Sequence, residues 1–232
     1  MKKYLKLKPI KSSYAIGLNY RKALLKLTHE MIKEIMRVLM PQYRINEENI
    51  ANIVGDADPI STINLTLGAI LKKWQLIFDD KAPPYASIFI QEVDNSIDTQ
   101  LINSLNAAPS IFQENLVVKF SQHSERMLMA NQSLIKENVE LIKSIPSQYS
   151  TSIQTLVNQA MQQGRDINWL SEQLGKLEDK TNNRLTLIAR DQLNKATSVV
   201  NHARQADLGI TKNEWLHSHA GEKPRPDHVA AN

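Results

Sequence analysis

The chain has 232 residues, room for one or two domains with a real hydrophobic core, and its 42% apolar and 22% charged residues are ordinary for a water-soluble protein. Cysteine is absent, which excludes a disulfide framework and thiolate metal sites and points to folding in a cytosol; no run of about 18 apolar residues exists to form a membrane-spanning helix. The net charge of +4 is unevenly placed, because residues 1–37 carry ten Lys/Arg against Glu30 and Glu34, a local +8 that leaves −4 for the remainder.

The start, MKKYLKLKPIKSS, has its lysines too closely spaced for the apolar centre of a secretory signal. Residues 1–17 read as a basic arm whose Lys2, Lys3, Lys6, Lys8 and Lys11 can reach toward nucleic acid or an acidic protein, or simply keep the terminus solvated. With only 7 glycines and 4 phenylalanines, the body that follows favours long helices.

Residues 18–40 place Leu24, Leu27, Met31, Ile35, Val38 and Leu39 at three- and four-residue spacings, which predicts an amphipathic helix stopped by Pro41. The weakly patterned stretch up to Pro59 reads as a loop. Helical spacing resumes over 60–79 through Ile63, Leu67, Ile70, Leu71, Trp74 and Phe78, with Ser61 as N-cap. Pro83-Pro84 is expected to break the chain before a third helix over 85–105, which uses Ile88, Val93, Ile97, Leu101 and Leu105. After the NAAPS turn, residues 111–121 read as a short helix or an extended link. The stripe Met127, Met129, Leu134, Ile135, Val139 and Ile142 predicts a long helix over 124–143, with Asn131 as a point of interruption.

Pro146 opens the most sharply written region. A helix with Tyr149, Ile153, Val157 and Ala160 inward should close on Gly164. Asp166 then caps a short helix that ends at Gly175, and after the polar turn KLEDKTNN a longer helix runs over 184–208 to Gly209. The fold class read from this pattern is mainly α: an elongated multi-helix N-terminal and central region, followed by a short, incomplete α+β C-terminal segment. The organisation is an arm (1–17), a helical region (18–145) and a distinct region (146–232).

Several chemistries lack their residues. No phosphate loop, GxGxxG, GxSxG elbow or HExxH is present. The tail HSHAGEKPRPDHVAAN does concentrate His217, His219, Asp227 and His228, types that zinc accepts. The spacing matches no zinc signature, and closely spaced histidines in loops usually bind nothing, so no metal or other cofactor is assigned. On the 184–208 helix Arg190, Asp191 and Lys195 form a polar stripe with Gln192 and Asn194. It is either a self-paired exposed face, with Asp191 to Lys195 as an i, i+4 pair, or Arg190 turns inward to hold the segment around Trp215 and Arg225.

Four patches between residues 138 and 232 carry a resemblance. They are NVELIKSIPSQY, then MQQGRDINWLSEQL, then RLTLIARDQLNKATSVVNHARQADLGI, and last WLHSHAGEKPRPDHVAAN with Trp215, Ser218, Arg225 and His228. In order and spacing they resemble the phage Mu F-like minor head proteins, the head morphogenesis family of tailed phages. Arg190 and Asp191 belong to the matching IARDQ run. The resemblance implies a virion protein inside the head near the portal vertex, made in the host cytoplasm, and several copies per head. The implied partners are the portal protein, with packaged double-stranded DNA, scaffold or major capsid protein as further contacts. It implies roles in head assembly, DNA packaging or DNA exit, and no enzymatic activity, so no catalytic residue is named. A non-specific DNA-binding virion protein and, more remotely, a metal-dependent enzyme built on the histidine cluster are the alternatives. In the family the pattern around His228 leads through Asn-Gly into further β-rich sequence, whereas this chain stops at Asn232.

Overall fold

A computed structural model describes residues 7–52, 59–107 and 124–210, and within them the chain forms four long helices: α1 (Tyr14–Asn52), α2 (Pro59–Asn106), α3 (Glu125–Gln162) and α4 (Ile167–Asp207). The mainly α expectation holds. The expected α+β segment over 211–232 and the link over 111–121 lie outside the described residues.

The helices are fewer and longer than the punctuation predicts, because α1 runs through Pro41, α2 through Pro83 and Pro84, and α3 through Pro146. An internal proline costs a helix about 3 kcal/mol through a lost hydrogen bond and a clash with the preceding turn. Opposing that cost, the buried stripe is unbroken on either side of each proline. Leu39 and Tyr43 bracket Pro41, Phe78, Ala82, Ala86 and Phe89 bracket the Pro83-Pro84 pair, and Ile142, Ile145, Tyr149 and Ile153 bracket a buried Pro146. Each large apolar side chain so buried contributes roughly 1.5–3 kcal/mol, enough in sum to carry the helix across. Gly175 and KLEDKTNN likewise fail to end a helix, since Leu170, Leu174 and Leu185 stay on one buried face of α4. Ser61 falls inside α2 instead of capping it, and the stretch 42–52 is helical.

Other expected boundaries hold. Gly164 and Gly209 have φ of +59° and +72°, the left-handed conformation that an added Cβ disfavours. Arg165 N–H donates to Ala160 O and Gly164 N–H to Met161 O; Ile210 and Gly209 repeat this pattern on Gln205 O and Ala206 O. Both helices thus end in a Schellman motif. Asp166 caps α4 by accepting from Trp169 N–H at 2.8 Å, and Ser124 caps α3 by accepting from Met127 N–H at 3.1 Å.

The pairings define the topology. Glu34 meets Lys73 while the backbone of Lys11 meets Gln100, so α1 and α2 are antiparallel. Asn64 with Asn158 and Asn131 with Asp94 make α2 and α3 antiparallel. Arg184 with Ser144 and Lys195 with Glu137 do so for α3 and α4, and Tyr43 with Arg165 O and Arg21 with Thr186 for α4 and α1. The result is an up-down-up-down four-helix bundle around one core. The junction between residues 145 and 146 lies inside α3. Tyr20 stacks on Phe89 at the centre, with ring centroids 4.1 Å apart. At Gly17 a Cβ would come within 2.8 Å of Leu193 Cδ2, so the missing side chain lets the start of α1 approach α4.

Candidate functional site

Polar side chains inside the bundle collect in two places, and a third set of charges decorates the outside of α1. The first place is the end of the bundle where the described chain begins at Leu7, breaks off at Ala107, resumes at Ser124 and reaches Ile210. Asp94 and Asp98 sit one turn apart on α2 and both face Arg204 of α4, a side chain only 2% exposed. Arg204 Nη2 lies 2.7 Å from Asp98 Oδ2 and 3.4 Å from Asp94 Oδ1. Asn131 of α3 donates to Asp94 Oδ2 at 3.0 Å, so three helices meet at one carboxylate. Ser124 Oγ donates to Asp207, which Arg126 also approaches. The segment before α1 is strapped across this end: Lys8 N–H donates to Ser104 Oγ at 2.7 Å, and Lys11 N–H and C=O bond the side-chain amide of Gln100.

A second polar centre lies mid-bundle. Asn138 of α3 is fully buried, accepts from Tyr20 Oη at 2.9 Å and donates through Nδ2 to Leu134 O and Gln192 Oε1. Gln192 Nε2 donates to Glu137 Oε1, and Lys195 Nζ reaches Glu137 Oε2 at 2.6 Å. Lys195 first, with Gln192 assisting, holds the Glu137 carboxyl below the usual carboxylate range. Burial pushes the Tyr20 phenol well above its ordinary value, so it serves as a hydrogen-bond donor.

These two centres account for part of the sequence reading and replace part of it. On the α4 stripe, Arg190 pairs with its neighbour Asp191 at 3.3 Å and both are exposed, the self-paired alternative. Lys195 does not pair with Asp191 but crosses to α3, and Gln192 turns inward. Lys8 and Lys11 keep exposed side chains although their backbones are tied down. Ile88 and Met129, expected in the core, are 56% and 59% exposed. Lys2, Lys3, Lys6, Trp215, His217, Ser218, His219, Arg225, Asp227 and His228 lie outside the described residues.

Sequence reasoning missed Arg204, Asp94 and Asp98, although a signal existed. Arg204 continues the 193, 197, 200 spacing of the α4 core, and Asp94 stands on the 90, 97, 101 stripe of α2. Opposite charges at core positions of two helices are strong candidates for a buried pair.

The outer face of α1 carries Lys22, Lys26, Lys33, Arg37 and Arg44, all exposed, with His29 and Glu30 among them. Glu34, at the edge of this face, is bonded by Lys73 at 2.7 Å and by Trp74 Nε1 at 3.1 Å. Lys73 first, then Trp74 and Arg37, hold its carboxyl below the usual range. No helix among the described residues is long and apolar enough to cross a membrane.

No protein-family model matches the chain, and no solved structure matches it. An uncharacterized protein of Haemophilus influenzae (strain Rd) is 28% identical over 227 residues, covering 97% of this chain and 48% of that protein. The chain spans about half the length of this relative.

Proposed function

We propose that this chain is a minor head protein of a tailed phage, which docks onto the portal inside the head and assists assembly, packaging or DNA exit. The observation that carries the reading is the register of four Mu F-like patches over residues 138–232, through IARDQ to the Trp215, Ser218, Arg225, His228 pattern. A bundle whose outer helix faces are available for packing, with a strapped polar end, suits a protein that works by binding. The role requires no catalytic group and no cofactor.

Co-purification with the portal protein of the same phage tests the proposal. Stable co-elution is expected, and failure to associate with portal assembled alone or within a procapsid would sink it. Deleting the whole N-terminal region is the wrong way to probe the arm, because α1 begins at Tyr14 and lines the core. Changing Lys2, Lys3, Lys6, Lys8 and Lys11 to glutamine is the cleaner test. Loss of portal binding would place the contact on the arm, and unchanged binding would place it on the helical body.

A further inference from the structure

The five cations on the outer face of α1 follow one another at steps of four, seven, four and seven residues, from Lys22 to Arg44. At 100° per residue these steps keep all five within an arc of about 60°, along about 33 Å of helix. One turn of B-DNA has nearly the same length, about 34 Å. Among the described residues none of the five cations forms a salt bridge, and the flanking Glu34 is already taken by Lys73. Among the described residues Glu30 and Glu178, whose carboxylate lies 3.1 Å from His29 Nδ1 on the same face, are the carboxylates beside them.

The opposite face of α1 is buried through Leu24, Leu27, Met31, Ile35, Leu39 and Tyr43. The charges therefore project from a fixed rod, with no ordering cost to align them beyond their own side chains. Protein interfaces gain most of their affinity from buried aromatic, apolar or arginine anchors. Among the described residues of α1 the large exposed apolar one is Tyr14, two turns before Lys22. The stripe itself holds no aromatic or apolar anchor among them, its two arginines, Arg37 and Arg44, standing in the row of cations. Membrane-surface helices also need an apolar face to insert, and here that face is inside the bundle. A fixed row of cations without apolar anchors suits a stiff polyanion, whose phosphates it can meet where the two winding strands cross it.

We propose that this face of α1 binds the phosphate backbone of duplex DNA without reading its sequence. The inference does not rest on the portal-docking role and fails or stands separately from it.

Fluorescence anisotropy of the full chain with a duplex of about 30 bp tests it, in a salt titration from about 50 to 300 mM. If all five cations meet phosphates, log K should fall with log salt at a slope of about −4 to −5. The variant Lys22→Gln, Lys26→Gln, Lys33→Gln, Arg37→Gln should weaken binding about tenfold or more and flatten the slope by roughly 0.9 per charge removed. Circular dichroism should show its helicity unchanged, since all four sites are solvent-exposed. If that variant unfolds, the double variant Lys26→Gln, Lys33→Gln serves, with half the change in slope. No binding at low salt, a slope the stripe variants leave unaltered, or binding abolished by Lys8→Gln, Lys11→Gln alone would each overturn the proposal. So would tighter binding to phosphatidylserine vesicles than to the duplex.

Discussion

The two polar centres inside the bundle join the same helices by different means. At the arm end, a charged guanidinium is buried between two carboxylates of a diagonal helix. At mid-bundle, amides and a phenol form a neutral core, and the charges of Glu137 and Lys195 stay at its wetter edge. Burying a charge carries a desolvation cost of several kcal/mol that only its partners offset, whereas an amide costs far less. The arm end is thus an all-or-nothing contact, intolerant of losing one member. The middle can lose a hydrogen bond and relax.

The largest effect should come from Arg204→Met, which leaves Asp94 buried without its cation. Urea unfolding should show a loss of about 3–5 kcal/mol, and adding Asp94→Asn and Asp98→Asn should recover much of it. A triple variant no better than the single one would mean that the guanidinium serves packing, not charge balance. Asn138→Leu should cost less, about 1–3 kcal/mol, by stranding the Tyr20 hydroxyl and the Gln192 amide. A cost equal to that of Arg204→Met would erase the distinction between the centres. Tyr20→Phe keeps the stack on Phe89 and removes one hydrogen bond, for a loss of roughly 1 kcal/mol in the same assay.

The smallest effect concerns pH. Glu137 and Glu34 both titrate lower in the folded chain than in the unfolded one, through Lys195 and Lys73 respectively. The unfolded chain therefore takes up protons first as pH falls. The stabilisation is complete above the ordinary glutamate range near ~4.3 and is lost as pH drops through the lowered folded-state values. Thermal melts from neutral to acidic pH should show this decline, and Glu137→Gln with Glu34→Gln should flatten it. An unchanged profile in that double variant would assign acid sensitivity to other carboxylates.

Much of the helical pattern was legible along the chain. Leu24, Leu27, Met31, Ile35 and Leu39 are buried as their spacing predicts, and Asp166, Gly164 and Gly209 cap where expected. These are local properties: which side of a helix is apolar, and which backbone needs a cap, depend on residues a turn apart. The prolines show where local reading stops. Pro41, Pro83, Pro84 and Pro146 each carry a local penalty that says break, and each sits in a continuous helix. The opposing energy comes from side chains of other helices packed against Phe78, Ala82, Ala86, Ile145 and Tyr149, which no window of sequence contains.

The same limit separates the polar sites. Arg190 and Asp191 are adjacent on an exposed face, and a self-paired exposed face was among the readings the sequence offered, with Asp191 and Lys195 as its expected pair in place of the observed Arg190 and Asp191. Arg204 and Asp94 are 110 residues apart, and their meeting depends on the antiparallel arrangement of all four helices. The row from Lys22 to Arg44 lies between these cases. Its charges and four- and seven-residue steps are written in the chain, but only the bundle shows that the other face of α1 is buried. That burial is what turns a basic segment into a fixed surface.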